Sequence, residues 1–241
     1  MTTVAIIGAD GAGKTTIANK LAEECPVPTR YLYMGPNIES SNITLPTSRL
    51  ILFFKLWSYK RTAKREGITD PKFISTHHNA HRKVKRGRIG STLRLFNRLA
   101  EGCFRQLISW LYQLRGFVVV YDRHFLFEAA TAGDHKRRPP TDRLYYWLLA
   151  NVLPQPELVI FLDASPEVLF ARKGEGTLDY LQRKREVCLA EGKKTANFVR
   201  VDASRPLDQV LAEVSQRIVA FHSTLKNHKR HRPDLEVQRG D

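Results

Sequence analysis

The chain has 241 residues, of which 42% are hydrophobic and 26% charged, a balance that excludes an intrinsically disordered chain and predicts one sizeable core. Its net charge of +15 favours anionic ligands such as nucleotides, nucleic acid or acidic lipids. Cys25, Cys103 and Cys188 lack metal-ligand spacing, and there is neither a secretory signal nor a run of about 20 apolar residues, so we expect reduced thiols and a cytoplasmic location.

Short apolar runs alternate with amphipathic segments along the chain. The runs predict buried strands at Val4–Gly8, Arg30–Met34, Phe117–Tyr121, Leu158–Leu162 and Asn197–Val201. Helical patterns lie at Lys14–Glu24, Leu93–Leu114, Thr141–Leu153, Ser165–Arg172, Leu178–Glu191 and Leu207–His222. Strands that are apolar on both faces and alternate with helices predict an α/β fold, a parallel sheet with helices on both sides.

The interval from residue 36 to 115 contains no convincing strand and is strongly basic. Eleven Lys and Arg residues lie between Lys60 and Arg94, against only Glu66 and Asp70. We therefore expect a single domain over residues 1–222 with a long, mainly helical insertion at about 36–115. His77–Gly90 has no apolar stripe and is predicted to be mobile or ordered only by a ligand. Residues 223–241 read as a basic, disordered tail.

The segment GADGAGKT, from Gly8 to Thr15, matches the phosphate-loop pattern G-x-x-x-x-G-K-[ST]. Glycines let the backbone curl so that successive N–H groups point at phosphate oxygens, and the following helix presents its positive end to the same anion. Lys14 supplies a charge to the outer phosphates, and the Thr15 hydroxyl is a ligand for Mg²⁺. The predicted phosphate site comprises Gly8, Ala9, Asp10, Gly11, Ala12, Gly13, Lys14, Thr15 and Thr16.

The triplet Asp122-Arg123-His124 follows a predicted buried strand, so it emerges at the carboxyl end of the sheet, where such sheets bind ligands. Asp122 is placed to hold Mg²⁺ through water or to orient a second phosphate. The planar fork of Arg123 suits that second phosphate. For His124, a ligand contact and a packing role both stay open.

Four segments together resemble the thymidylate kinases: GADGAGKTT, VVVYDRH, VIFLDASPEVLFARK and VRVDASRPLDQVLAEV, in the order of that family. The resemblance covers Thr3–Leu21 and Phe117–His222. It implies a P-loop NTPase fold, a three-layer sandwich with sheet order 2-3-1-4-5 and a lid. It also implies ATP, Mg²⁺ and transfer of the γ-phosphate to an acceptor monophosphate, with dTMP as the first expectation.

The resemblance also implies roles for individual residues. Asp10 would face the acceptor's sugar, and Ala12 leaves the phosphate loop without an arginine, so the lid must supply the catalytic cation. Five lid cations are available: Arg172, Lys173, Arg183, Lys184 and Arg185. Arg172 is the first choice and Arg183 the second, which gives Lys14, Asp122, Arg123 and Arg172 as the catalytic set.

The segment after the last strand resembles the adenine-binding loop of that family. On this resemblance Ser204 and Arg205 flank the base, with the Arg205 side chain stacked on adenine. The local alternative is that Ser204 only caps the following helix.

The acceptor half departs from the family. No Tyr-Gln pair follows Arg123, the second strand ends YLYMGPN instead of Arg-Glu-Pro, and the spacing does not choose among the candidates Phe96, Arg98, Phe104 and Arg105. Another nucleotide, a sugar phosphate or another metabolite therefore stays open as the acceptor. A non-catalytic, nucleotide-dependent binder of nucleic acid or membrane is a further alternative.

The stretch ILFFKLWSYKRTAKR, residues 51–65, joins apolar aromatic residues to basic ones. This pattern suits either an anionic membrane surface or a core or partner-facing helix with a basic exit. A homodimer is also open.

Overall fold

The computed structural model describes residues 2–35, 37, 41–50, 53, 54, 57, 61, 88–131 and 139–230. Its strands are β1 (Thr2–Gly8), β2 (Thr29–Tyr33), β3 (Val118–Asp122), β4 (Leu158–Asp163) and β5 (Phe198–Asp202). Its helices include α1 (Lys14–Glu24), α2 (Arg88–Leu114), α3 (Phe125–Thr131), α4 (Pro140–Val152), α5 (Pro166–Lys173), α6 (Leu178–Gly192) and α7 (Leu207–Arg230). Within these ranges no helix is long and apolar enough to cross a membrane.

The five strands form one parallel sheet in the order β2-β3-β1-β4-β5, which confirms the predicted fold class and strand order. β1 lies in the middle and is buried along its whole length. Its alternate residues serve two cores: Ile6 packs in the core that contains α1 and α7, whereas Ile7 packs in the core on the α2 and α6 side. This two-sided burial explains why the strands read as continuous apolar runs.

Three elements differ from the expectation. Helix α2 begins at Arg88, five residues before the predicted Leu93 and within the segment His77–Gly90 that was expected to be mobile. The last helix continues to Arg230, eight residues beyond His222, because no glycine or proline interrupts STLKNHKR. The short helix α3 was not predicted, since its apolar start, FLF, carries no helical period. Residues 62–87, which hold most of the basic run, and residues 231–241 of the expected tail lie outside the described residues.

Helix α2 turns polar side chains towards the protein interior. Glu101 is buried, accepts hydrogen bonds from Leu45 N at 3.1 Å and Ser48 Oγ at 2.8 Å, and pairs with Arg105 at 3.2 Å. Arg105 in turn donates to the carbonyl oxygen of Gly35 at 2.8 Å. These contacts fix the rotation of α2 and connect it to the segment that leaves β2.

We expect Glu101→Ala to lower the free energy of unfolding by about 3 kcal/mol, because it leaves the buried Arg105 charge without its partner. Glu191→Ala is the matched control: it removes an exposed pair with Lys194, which is worth about 1 kcal/mol or less. Urea unfolding followed by circular dichroism measures both. Equal losses in the two variants would contradict a buried network at Glu101.

Candidate active site

The segment between β1 and α1 forms a tight loop that only glycine permits at two positions. Gly11 has φ 89°, and a methyl group on it would lie 2.6 Å from the carbonyl oxygen of Leu169. Gly13 has φ 84° and precedes the first turn of α1. The loop therefore brings several backbone N–H groups and a helix N-terminus to one place, which is an arrangement that binds phosphate.

Lys14 lies inside this loop, with its Nζ 2.7 Å from the carbonyl oxygen of Ala9 and 4.0 Å from Asp10. Burial lowers the pKa of Lys14 to about 8, and the positive charge of Arg123 acts in the same direction. An anion bound in the loop would favour the charged form again.

Asp122 is fully buried at the end of β3. Its Oδ2 accepts hydrogen bonds from Thr15 Oγ1 at 2.6 Å and from the Tyr31 hydroxyl at 3.2 Å. Burial raises the pKa of Tyr31, and the negative charge of Asp122 raises it further. The other oxygen, Oδ1, has no hydrogen-bond partner among the described residues.

These oxygens fit Mg²⁺. This ion prefers oxygen ligands and is commonly held by one or two carboxylates together with substrate phosphates. A carboxylate oxygen without a partner, beside the Thr15 hydroxyl, is such a donor set. The described part of the chain contains no group of three or more His, Cys, Asp or Glu side chains that would hold a metal without substrate.

Arg123 follows Asp122 with φ 64°, a strained conformation for a residue with a side chain. Its two terminal nitrogens donate to Glu128 at 2.8 Å and to Asp10 at 2.9 Å. Burial opposes the charged form of Arg123, but these carboxylates hold its pKa above the usual value. The strained backbone thus aims the guanidinium back at the phosphate loop.

Asp10 also accepts a hydrogen bond from Lys184 of α6, at 2.9 Å. Burial alone would raise the pKa of Asp10, but the charges of Lys184, Lys14 and Arg123 hold it well below its usual range. Lys14, Arg123 and Lys184 line one cleft together with Glu128, and Asp10 binds two of these cations from the phosphate loop. A phosphate group bound beside the loop would compete with the two acids for these cations.

Of the five lid cations, the structure brings Lys184 to the phosphate loop. Arg172 instead donates to the carbonyl oxygens of Ala203 and Ser204, at 2.8 and 3.3 Å. The other three do not reach the loop: Lys173 pairs with Glu175, Arg185 pairs with the buried Asp163, and Arg183 is exposed. Lys184 points inward because it shares the buried face of α6 with Leu181 and Cys188.

The predicted adenine loop follows β5. Both the N–H and the hydroxyl of Ser204 donate to Asp202 Oδ1, at 2.9 and 2.6 Å, so Ser204 closes the turn locally. Arg205 pairs with Glu213 of α7. Arg172 binds the same turn, which connects α5 to it.

A second cleft lies between α2, α4 and the end of β2. Arg98 and Arg105 line it, whereas Phe96 is exposed and Phe104 is half-buried. Arg98 stacks on Tyr145 at 3.9 Å and pairs with Asp142. The Nε of Arg105 is buried and has no hydrogen-bond partner among the described residues.

The two clefts adjoin at Arg123. A methyl group on Gly35, which lines the second cleft, would lie 3.0 Å from the Cδ of Arg123, which lines the first. Phe125, two residues after Arg123, also lines the second cleft.

Two archaeal proteins match nearly the whole chain. A probable thymidylate kinase of Archaeoglobus fulgidus is 29% identical over 232 residues, with 93% of this chain and 98% of that protein covered. A probable thymidylate kinase of Pyrobaculum aerophilum is 27% identical, with 92% and 100% covered. The chain is thymidylate kinase-like. The matched region includes most of the predicted insertion at about residues 36–115, which the four motifs of the sequence analysis do not cover.

A third relative is the uncharacterized ATP-binding protein YghS of Escherichia coli. It is 26% identical over 241 residues, with 92% of this chain and 93% of that protein covered. No family model matches this thymidylate kinase-like chain.

Sequence reasoning missed two residues of the site, Glu128 and Tyr31, and did not single out Lys184 among the lid cations. Glu128 was missed because α3 was not predicted, and Tyr31 because its partner lies on another strand. His124 is buried, and neither ring nitrogen has a partner among the described residues. Burial lowers the pKa of His124 to about 3, so its imidazole is neutral at physiological pH. Lys184 lies at helical spacing from Leu181 and Cys188, and this spacing was the sequence signal that could have placed it on the buried face of α6.

The lowered pKa of Lys14 gives a pH test. The folded chain releases this proton near pH 8, whereas an unfolded lysine keeps it to about 10.5, so the free energy of unfolding should rise between pH 8 and 10.5. We expect this rise in the wild type relative to Lys14→Met, measured by urea unfolding at each pH. A difference between the two proteins that stays constant over this range would contradict the lowered pKa.

Proposed function

We propose that the chain is a nucleoside monophosphate kinase that transfers the γ-phosphate of ATP to an acceptor monophosphate, with dTMP as the first candidate. The observation that carries the proposal is the junction of two clefts at Arg123, one with the phosphate loop and the other with Arg98 and Arg105. The names of the archaeal relatives support the same activity.

The loop residues Gly8 to Thr16 would bind the phosphates of ATP, with Lys14 on the outer ones. Thr15 and Asp122 would hold Mg²⁺, which neutralises charge on the phosphates. Arg123 would leave Asp10 for the acceptor phosphate, and its strained backbone aims it there in advance. The protein then contributes position and positive charge, the two factors on which phosphoryl transfer depends.

We propose Lys184, in place of Arg172, as the lid cation that stabilises the transferring phosphoryl group. Lys184 already lies at the phosphate loop through its contact with Asp10. Arg172 binds the carbonyls of the turn that resembles an adenine-binding loop, so it would shape the base site together with Ser204 and Arg205.

A different acceptor on the same scaffold is the second candidate. It is favoured by the second cleft, where both arginines already have acidic partners: Glu101 pairs with Arg105, and Asp142 pairs with Arg98. The arginines of this cleft are therefore not free cations, unlike those of a site that binds a simple anion. The tyrosines Tyr31 and Tyr33 also stand near the place where Arg-Glu-Pro was expected.

The test is ADP formation from ATP and Mg²⁺ with a panel of nucleoside monophosphates and sugar phosphates, with Lys14→Ala as the blank. We expect turnover that depends on the acceptor and is fastest with dTMP. Turnover only with another phosphate would favour the second candidate. ATP binding without turnover on any nucleotide would overturn the nucleotide kinase.

We expect Lys184→Met to lower kcat by about 100-fold, because a positioned cation is lost from the transition state. Lys194→Met is the control, since Lys194 is exposed near the end of the same helix. Steady-state kinetics with both substrates measures the change. An unchanged kcat in Lys184→Met, together with a 100-fold loss in Arg172→Met, would return the role to Arg172.

A further inference from the structure

An apolar face lies in the segment that follows β2, away from both clefts. Residues 46–50, 53, 54, 57 and 61 of this segment are helical. Leu50, Phe53, Phe54 and Trp57, here called the Trp57 face, are spaced by three, one and three residues, so that at the helical period they share one side. Each keeps between 52% and 62% of its surface exposed. The apolar side of a surface helix normally packs inward, whereas this one is open to solvent.

Contacts on the opposite side of this segment hold the Trp57 face outward. Ser48 is buried, and its hydroxyl donates to Glu101 of α2 at 2.8 Å and accepts from the side-chain amide of Asn97 at 3.2 Å. At about 100° per residue, the four residues of the Trp57 face lie roughly 140° to 240° around a helix from Ser48. Because Ser48 is bonded towards the protein interior, the Trp57 face points away from it.

The sequence around the Trp57 face is basic and contains no acid. Residues 51–65 include no Asp or Glu and five cations: Lys55, Lys60, Arg61, Lys64 and Arg65. Arg61 lies one helical turn beyond Trp57, with its guanidinium carbon 5.3 Å from the centre of the indole ring. An apolar face beside such a run of cations is complementary to an anionic bilayer, in which negative headgroups cover the hydrocarbon.

The size of the Trp57 face favours a bilayer over a folded partner. A large aromatic side chain buries roughly 150–250 Å² when it is fully covered, so four half-exposed side chains offer roughly 400 Å². One partner of a stable protein complex buries about 800 Å². The face is therefore small for a second copy or another folded protein, whereas a bilayer needs no matching surface. A face of two helical turns is also long enough to lie on a bilayer, though not to cross it.

We propose that the Trp57 face is a docking surface for anionic lipid, through which the chain binds a membrane peripherally. The four apolar side chains enter the region between headgroups and hydrocarbon, where Trp and Phe rings are favoured. The cations of residues 55–65 stay among the headgroup phosphates. None of the four residues lines either cleft, so docking adds a membrane contact to the proposed kinase and leaves both substrate sites open.

Sedimentation of the full chain with lipid vesicles is the first measurement. One set of vesicles contains equal parts of phosphatidylglycerol and phosphatidylcholine, and the other contains phosphatidylcholine alone. We expect the chain to bind the mixed vesicles at physiological ionic strength, and to bind the neutral vesicles at least about 10-fold more weakly, because several cations gain from the negative surface. Added salt should weaken binding to the mixed vesicles.

Phe53→Glu combined with Trp57→Glu should lower the partition onto the mixed vesicles by about 100-fold, because two rings are lost from the bilayer and two negative charges are added. Leu144→Glu combined with Trp147→Glu is the matched control. It makes the same change in charge at an exposed Leu and Trp of α4, and should bind the vesicles like the wild type. Circular dichroism checks that both variants fold, which we expect because all four sites are exposed.

The fluorescence of Trp57 gives an independent readout. Trp110→Phe combined with Trp147→Phe leaves Trp57 as the one indole of the chain. If its ring enters the bilayer, its emission moves to shorter wavelength when mixed vesicles are added, and lipids brominated on their acyl chains quench it.

Four results would overturn the proposal: no binding to the mixed vesicles, equal binding to the neutral ones, binding that the Phe53 and Trp57 double variant keeps, or an equal loss in the α4 control. A chain that ignores vesicles, and whose mass doubles with concentration unless Phe53 and Trp57 are replaced, would assign the face to a second copy and would overturn it equally.

Discussion

The site depends on one carboxylate, that of Asp10, which Lys184 and Arg123 share. Through these two hydrogen bonds the phosphate loop is connected to α6 on one side and to the end of β3 on the other. Without Asp10, three cations would face one cleft with only Glu128 among the cleft-lining residues to balance them. The acid therefore lets a chain fold with a site that is suited to several negative charges.

The same contact explains how a ligand can change the site. Asp10 binds each cation about as a phosphate oxygen would, so a phosphate must compete with it. Lys184 lies on α6, and Arg123 directly follows β3. A phosphate that replaced Asp10 on both cations would connect α6 to the end of β3 through the ligand instead of through the phosphate loop.

Helix α2 has a polar inner face and an apolar outer face. Its inner polar residues line the second cleft and bind the segment after β2, so the shape of this cleft depends on the orientation of the helix. Because burial of the polar side needs specific hydrogen bonds, these contacts favour one rotation of the helix, and apolar residues such as Leu107 and Trp110 stay exposed as a consequence.

The sequence predicted what local patterns encode. All five strands were located within two residues, because short apolar runs rich in β-branched and aromatic residues favour strands over helices by their length and composition. The phosphate loop was recognised from its glycines and Lys14. By contrast, the choice of Lys184 over Arg172 depends on which face of α6 is buried, and the partnership of Asp10 with Lys184 spans 174 residues of chain. A contact between residues so far apart in the chain leaves no local sequence pattern.

Three consecutive residues at the end of β3 break the rules that favour stability. Asp122 is buried with one oxygen unpaired, Arg123 has a positive φ, and His124 is buried with both nitrogens unpaired among the described residues. Unsatisfied buried polar groups cost roughly 1–3 kcal/mol each, and a non-glycine residue in the left-handed region costs a similar amount. A sequence selected for stability alone would replace them with apolar residues in extended backbone. Their concentration beside the phosphate loop is what a site under functional selection would show, because unpaired donors and acceptors are those that a ligand or ion can still bind.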